Sequence, residues 1–515
     1  MSRKRWTLVL VCVATFMLLL DITIVNVALP SIQEDLNASF SSLQWVVDAY
    51  ALTLASFLLV AGSLGDRLGR RMIFAIGLGI FTFASLLCGL ASDPTVLNVF
   101  RGLQGVGAAA MFATALALIA QEFEGKERAK AIGAWGATVG GAVAIGPLIG
   151  GVLTDAFGWE WIFFVNIPIG GAALILTQRK LANVAATDSL SLDYGGLVTF
   201  SASLFLLIFA LIRGNAEGWG SPIIVGSLAA AAALLVAFFL IESRRENAML
   251  DLSLFKVRSF GGASIVAWAL SATMFALFLY ITLFLQDVVG LTPLEAGACF
   301  LPLSLLSFLV APISANLSTR IPVQVLMGVG LCMAGIGLLL MRGVAPGDEW
   351  TTLLPGFIVA GIGIGMVNPL IAEVALGVVH PARAGMASGI NSTFRQIGIS
   401  TGVAGLGAIF HAQILDNLSS VPDQFRDGFA DAVSAGAIDK AAAAAPPALQ
   451  QGLIDTGETA FVAGFNEIML IGGIVAIIGG ILGAVMIRRT DFVELGDPLG
   501  AQDPTEAQPE PAPAG

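Results

Sequence analysis

The chain is a succession of apolar runs, each about twenty residues long, separated by short polar turns. A helix rises about 1.5 Å per residue and must cross a hydrocarbon core of about 30 Å, so each run is long enough to span. The runs fall at 8–29, 43–65, 72–91, 95–120, 130–154, 161–178, 195–213, 222–241, 260–286, 294–317, 323–342, 352–379, 386–411 and 463–487. In lipid every backbone N–H and C=O must find a partner within the protein, which leaves helices and closed barrels. Runs of this length predict helices, and fourteen of them predict an all-α, multi-pass membrane protein. Only 12% of the 515 residues are charged, against about 25% in soluble domains. The length therefore counts spans rather than soluble domains. A net charge of −11 gives no basis for binding nucleic acid. Cys12, Cys88, Cys299 and Cys332 all lie in apolar runs, so neither a disulfide framework nor zinc-ligand spacing is present. The first run is too long for a cleavable signal peptide and leads straight into further spans.

An even number of spans puts both termini on one side, and Lys and Arg choose the side. With the N-terminus in the cytoplasm, nineteen of the 25 basic residues fall inside and four outside, with Arg101 and Arg395 within spans. Both termini are expected in the cytoplasm, in the cell (inner) membrane. The Ala-rich segment 412–462 becomes an external loop in which short helices are expected. The acidic, Pro-rich tail 490–515 is expected to be disordered and cytoplasmic.

Inside the first span sits a carboxylic acid, Asp21. Such a group costs at least roughly 2.5–3.5 kcal/mol at mid-bilayer, and a span that carries one usually uses it. Span 2 ends in Gly62-Ser63-Leu64-Gly65-Asp66-Arg67-Leu68-Gly69-Arg70-Arg71. Its glycines permit a tight turn and close helix packing. Asp66 suits a helix N-terminus, and the arginines hold the loop inside.

That loop resembles the signature between spans 2 and 3 of the major facilitator superfamily. Asn98-Val99-Phe100-Arg101-Gly102-Leu103-Gln104-Gly105-Val106-Gly107 resembles its span-4 signature. Gly146-Pro147-Leu148-Ile149-Gly150-Gly151 resembles its span-5 antiporter signature, with Ala142 where an earlier Gly is usual. Leu20 to Pro30 resembles the first span of the 14-span drug:proton antiporters. Trp159 to Pro168 resembles their opening of span 6, with Glu160 at a position more often basic. The resemblance runs from about residue 6 to 489. It implies two six-helix bundles around a central cavity, with spans 7 and 8 inserted between them. The expected division is 1–180, an inserted pair at 181–258, and 259–489. Leu317-Ser318-Thr319-Arg320-Ile321-Pro322 occupies in the second half the place of the Asp66 loop, without its acid and glycines, and is expected to gate less strongly.

Depth can be estimated at about 1.5 Å per residue. Asp21 then lies roughly 20 Å from the inner face, and Arg101 and Asp48 lie roughly 8 Å from the outer one. The three share the outer half and are the expected proton-coupling group. Asn26, Trp45, Gln104, Asn368, Glu373 and Arg395 are the candidate cavity residues. Arg395 is expected to bind substrate or to pair with Glu373, whose role is either functional or structural. Gly62, Asp66, Arg67, Gly69, Arg70 and Arg71 would form the gating loop, and Gly146, Pro147, Gly150 and Gly151 would pack span 5 against the other bundle. Gly361-Ile362-Gly363-Ile364-Gly365 follows no strand and is not a nucleotide loop, and no phosphate-binding Lys motif occurs. No cofactor, metal or enzymatic activity is expected. The expected function is proton-coupled export of lipophilic, cationic drugs by a monomer. Export of an endogenous metabolite or natural product, anionic if Arg101 and Arg395 recognise it, is the alternative, as is a non-transporting receptor.

Overall fold

The computed structural model describes residues 2–38, 40–182, 193–244, 250–380 and 383–492. No strand occurs among them. The first half comprises α1 (Arg3–Asp35), α2 (Phe40–Leu68), α3 (Arg70–Gly89), α4 (Pro94–Glu122), α5 (Gly125–Phe157), α6 (Trp161–Phe164) and α7 (Asn166–Lys180). Next come α8 (Tyr194–Glu217) and α9 (Pro222–Glu242). The second half comprises α10 (Arg258–Leu270), α11 (Ala276–Leu283), α12 (Pro293–Cys299), α13 (Leu301–Leu317), α14 (Val323–Leu340), α15 (Leu354–Gly377), α16 (Ala384–Asn417), α17 (Asp423–Ser434), α18 (Ile438–Ala443) and α19 (Pro447–Met486).

Local chemistry sets several helix ends. Asp93 caps α4 by accepting from the N–H groups of Thr95 and Val96, with Pro94 at the first helical position. Thr292 and Glu295 form a reciprocal capping box at the start of α12. Gly69 turns α2 into α3 at φ 105°, a conformation that L side chains rarely adopt. α10 and α11 are joined by a π-helical turn, Ser271–Phe275. Against that turn α16 presents Gly402, where an added Cβ would lie 2.1 Å from the Ala272 carbonyl oxygen.

Thirteen helical segments among the described residues are long and apolar enough to cross a membrane, against the fourteen expected. The remaining run, 130–154, lies within α5, a continuous helix of 33 residues. The packing divides into two bundles. Phe74, Phe81, Met111 and Trp135 belong to a core built from the first-half helices. Leu331, Phe357, Phe410 and Phe461 belong to one built from the second half. Along the seam α5 packs on α13 and α2 packs on α16. Glycines allow the close approach. A Cβ at Gly133 would lie 2.8 Å from that of Ala315, and one at Gly389 would lie 2.9 Å from the Leu58 oxygen.

The inserted pair packs on itself, with the Ser203 hydroxyl donating to the Ala231 carbonyl at 2.7 Å and Phe200 against Phe238. α8 touches both bundles: Arg213 donates to Gln44 of α2 at 3.1 Å, and Asn215 to the Ala404 carbonyl of α16 at 3.2 Å. α9 exposes Val236, Phe239 and Leu240, as a helix apolar on all sides does against lipid. The segment 412–462 is more helical than a loop. α16 continues to Asn417, α17 and α18 follow, and α19 begins at Pro447, sixteen residues before the expected span. Phe429, Val433 and Ile438 bury their side chains against α19 near Gly457. The tail beyond residue 492, and 183–192 and 245–249 of the inserted segment, lie outside the described residues.

Candidate functional site

Asp21 is buried, and among the described residues every hydrogen bond to its carboxylate comes from its own bundle. Arg101 Nη1 of α4 donates to Oδ2 at 2.5 Å. Gln104 Nε2, one turn further along α4, donates to Oδ1 at 2.8 Å, and Asn166 Nδ2 of α7 reaches the same oxygen at 3.3 Å. Asp21 and Arg101 are each only 1% exposed at the side chain. Gln104 is a two-way bridge: its Oε1 accepts from Arg101 Nη1 at 2.6 Å while its Nε2 serves Asp21. The Ser85 hydroxyl of α3 accepts from Asn166 and Gln104 and donates to the Phe163 carbonyl of α6. Arg101 also donates through Nε to the Val46 carbonyl of α2 at 2.9 Å, and its guanidinium lies 4.4 Å from the centre of the Tyr50 ring. One acid and one base therefore tie together α1, α2, α3, α4, α6 and α7.

Taking two charges out of water costs several kcal/mol per ion. What makes this pair tolerable is that both carboxylate oxygens have donors and the guanidinium has two further acceptors. Protonating Asp21 would leave Arg101 facing only a carbonyl and an amide oxygen.

Asp48 does not join this group. It is half-buried, and the cation whose field reaches it is Arg213 of α8. Trp45, one turn earlier, stacks on Phe209 of α8 with centroids 6.1 Å apart, so this part of α2 faces the inserted pair. Asn26 lies on α1 with helical backbone, and its side chain is outside the described set, as is that of Pro147. In the second bundle Arg395 Nη1 donates to Asn368 Oδ1 at 2.8 Å, not to Glu373. Glu373 instead accepts from the Ser318 hydroxyl at 2.9 Å and feels the charge of Arg128 at the start of α5.

Of the candidate gating-loop residues, Gly62 and Asp66 meet the other bundle directly. Asp66 Oδ1 accepts from the Gly385 N–H at 3.0 Å, and Oδ2 from the Met386 N–H at 2.8 Å. These are orphan donors of the first turn of α16, where the helix dipole favours a negative charge. Arg70 donates to Asp66 through Nε and Nη2, and its Nη1 reaches the Ala117 carbonyl of α4. Arg71 donates to the Leu181 carbonyl at 3.2 Å. Gly62 lies so close to Gly385 that a Cβ would sit 2.2 Å from its oxygen. At the same end Arg383 donates to Asp251. Partial burial opposes it, but hydrogen bonds from Ser253 and the Arg383 charge hold the Asp251 carboxyl below its ordinary range.

The span-5 glycines pack differently from the expectation. A Cβ on Gly146 would strike Thr23 Oγ1, and one on Gly150 would lie 3.2 Å from the Ile24 oxygen, so both face α1 of the same bundle. Only Gly151 of that set looks across, toward Leu294 of α12. Ser85, Asn166, Arg128 and Ser318 were not singled out from the sequence as site residues. Asn166 had a visible signal, an amide in the opening of span 6. Ser85 and Ser318 had none, since a serine in a helix usually bonds its own backbone.

The model of the Major Facilitator Superfamily matches residues 11–403. The chain belongs to this superfamily. Its members are transporters of small molecules and not enzymes. Among this superfamily member's relatives, multidrug resistance protein Stp of Mycobacterium tuberculosis is 38% identical, over 81% of this chain and 79% of that one. The tetracenomycin C resistance and export protein of Streptomyces glaucescens is 31% identical, over 95% and 92%. The puromycin resistance protein pur8 of Streptomyces alboniger is 37% identical, over 79% and 82%. Among solved structures, the human organic anion transporter MFSD10 superposes with a TM-score of 0.64 at 12% identity, covering 93% of this chain and 99% of that one. The last comparison speaks for the fold alone.

Proposed function

We propose that this chain is a proton-coupled efflux antiporter that exports lipophilic, antibiotic-like compounds, cations among them, by alternating access. The observation that carries the reading is the sealed Asp21–Arg101 pair with its amide bridge. A carboxylate at that depth that can exchange a guanidinium for a proton is the minimum equipment for coupling. The relatives named for resistance to and export of antibiotics support the cargo class.

The distribution of Lys and Arg supports an orientation with both termini in the cytoplasm of a cell (inner) membrane. The end where Asp66 meets α16 is then the cytoplasmic one. Residues 1–180 and 259–489 act as the two rocking bundles of a monomer, with 181–258 as the inserted pair and 412–462 outside. Asp48 is a second coupling carboxylate, beside Arg213. The test is reconstitution in proteoliposomes with an imposed proton gradient. Substrate-dependent proton flux is expected in the wild type and none in Asp21→Asn. A wild type without flux, or a fully coupled Asp21→Asn, would sink the mechanism.

A further inference from the structure

The basic residues at the centre of the two bundles are treated differently. Arg101 has a carboxylate. Arg395, at the eleventh position after the start of α16, has none among the described residues: its hydrogen-bond partner there is the Asn368 amide oxygen. At about 1.5 Å per residue it lies roughly 17 Å into the helix, near mid-membrane. Its side chain is partly exposed. Asn368 precedes Pro369, and a Cβ built on Gly136 of α5 would lie 3.5 Å from that proline's ring, so the Arg395–Asn368 pair lies close to the seam between the bundles.

The same strip of α16 is rich in donors without acceptors. Asn391 is one turn before Arg395 on the same face. It is 3% exposed, and its Nδ2 has no hydrogen-bond partner. Ser388, three residues earlier, is fully buried with an unpartnered hydroxyl. Donors left buried without acceptors are costly. One and two turns beyond Arg395, Gly398 and Gly402 press on α10 and its π-helical turn, Ser271–Phe275, a deformation frequent at functional sites. A cation without a carboxylate, a spare amide N–H and a spare hydroxyl thus lie along one helix face.

We infer that the Arg395 strip is a subsite for the oxyanion of lipophilic acids, so that aromatic carboxylates, sulfonates and phenolates are a further substrate class of this transporter. The inference rests on the efflux reading for transport but not for binding. A partly buried guanidinium gains a charge-assisted partner when the ligand brings the negative charge, and Arg presents a planar fork suited to two oxygens. Asn368 positions the fork by holding Nη1.

The experiment is a binding comparison on the full-length purified protein between dansylate, which carries a sulfonate, and dansylamide, its uncharged isostere, read by dye fluorescence. A charge-assisted hydrogen bond predicts that the wild type prefers the sulfonate by roughly 10–100-fold. In Arg395→Gln that ratio falls to near one, and in Arg395→Lys it is intermediate. The ratio cancels any general loss of the cavity, and the wild-type value does not depend on a variant folding. Equal affinity of the wild type for the two dyes overturns the inference, as does an undiminished ratio in Arg395→Gln. Proteoliposome efflux of dansylate and ethidium under a proton gradient separates the two proposals. If neither dye moves while the sulfonate preference persists, the efflux reading fails and the subsite stands.

Discussion

The Asp21–Arg101 pair makes a quantitative prediction that separates structural from coupling roles. Asp21→Asn removes the charge and replaces one acceptor oxygen by an N–H₂ donor. Three donors converge on the carboxylate: Arg101, Gln104 and Asn166. At least one of them is then left facing a donor, and Arg101 keeps only Val46 O and Gln104 Oε1. Breaking a buried pair on one side costs about 3–5 kcal/mol. The two remaining acceptors and the Tyr50 ring put this case near the lower end, about 3 kcal/mol. Arg101→Gln leaves the carboxylate with two amide donors, and the same range applies. In the double variant Asp21→Asn/Arg101→Gln no charge remains uncompensated, so most of that cost should return, with a coupling energy of about 2 kcal/mol or more. The assay is reversible unfolding in mixed micelles, with proton flux measured on the same preparations. Stability should fall in both single variants and recover in the double, whereas flux should be absent from all three. Additive losses, or single variants costing under about 1 kcal/mol, would refute the view that the two charges sustain one another. A double variant that still couples protons would refute the role of the pair.

Three further outcomes follow from the same geometry. Gly62→Ala places a Cβ where the Gly385 oxygen lies, so α2 and α16 must separate. Spin labels at the ends of these helices should show a longer distance, and transport should fall at least tenfold. Glu373→Gln keeps the Ser318 hydrogen bond but removes the charge opposite Arg128. Label distances between the α5 and α15 ends should widen, with substrate binding retained. Asp491 accepts from the Ser259 hydroxyl at 2.7 Å, and this holds its carboxyl below the ordinary range. A lowered folded value stabilises above the unfolded carboxylate value of about 4 and is lost as pH falls through the folded one. Ser259→Ala should therefore lose stability at neutral pH and show a weaker acid dependence below pH about 4 than the wild type, as measured by thermal unfolding.

Much of this architecture was legible because lipid leaves few choices. Apolar runs of spanning length had to become helices, and thirteen did so, most of them near the expected bounds. Asp21 and Arg101 were legible as outliers, and counting residues along antiparallel helices brought them to one depth. Depth, however, does not fix the azimuth of a side chain. Asp48 shares the depth of Arg101 but faces α8 because Trp45 and Phe209 stack there. The sixteen extra residues of α19 were not visible, since Pro446, Pro447 and a run of alanines read as loop while the packing of Phe429 and Val433 holds them helical. The span-5 glycines misled for a related reason: a small residue announces a close contact without naming the partner. Gly146 meets Thr23 on α1, while contacts across the seam fall to Gly133, Gly136 and Gly140, which belong to no quoted motif.

The two ends of α2 join the proposed proton site to the proposed gate. Near its start, the Val46 carbonyl and the Tyr50 ring hold Arg101. Near its end, Gly62 and Asp66 are locked to the first turn of α16. Val46 and Asp66 are twenty residues apart, about 30 Å along one helix, with Gly62, Gly65 and small contacts concentrated at the locked end. In the proposed cycle a proton on Asp21 removes the counter-charge that fixes Arg101, and Arg101 is one of the groups that tie the start of α2 to α4, beside the Asn98 amide on the Ser42 carbonyl. A rigid helix released at one end bears on the contacts at the other, and those contacts are two N–H groups and a carbonyl at van der Waals limit. The lock is short-ranged, since its hydrogen bonds are lost within an ångström or so of separation. The α16 strip that carries Arg395 begins on the same locked turn. The proton site, the gate and the proposed anion subsite thus meet along a single pair of helices, α2 and α16.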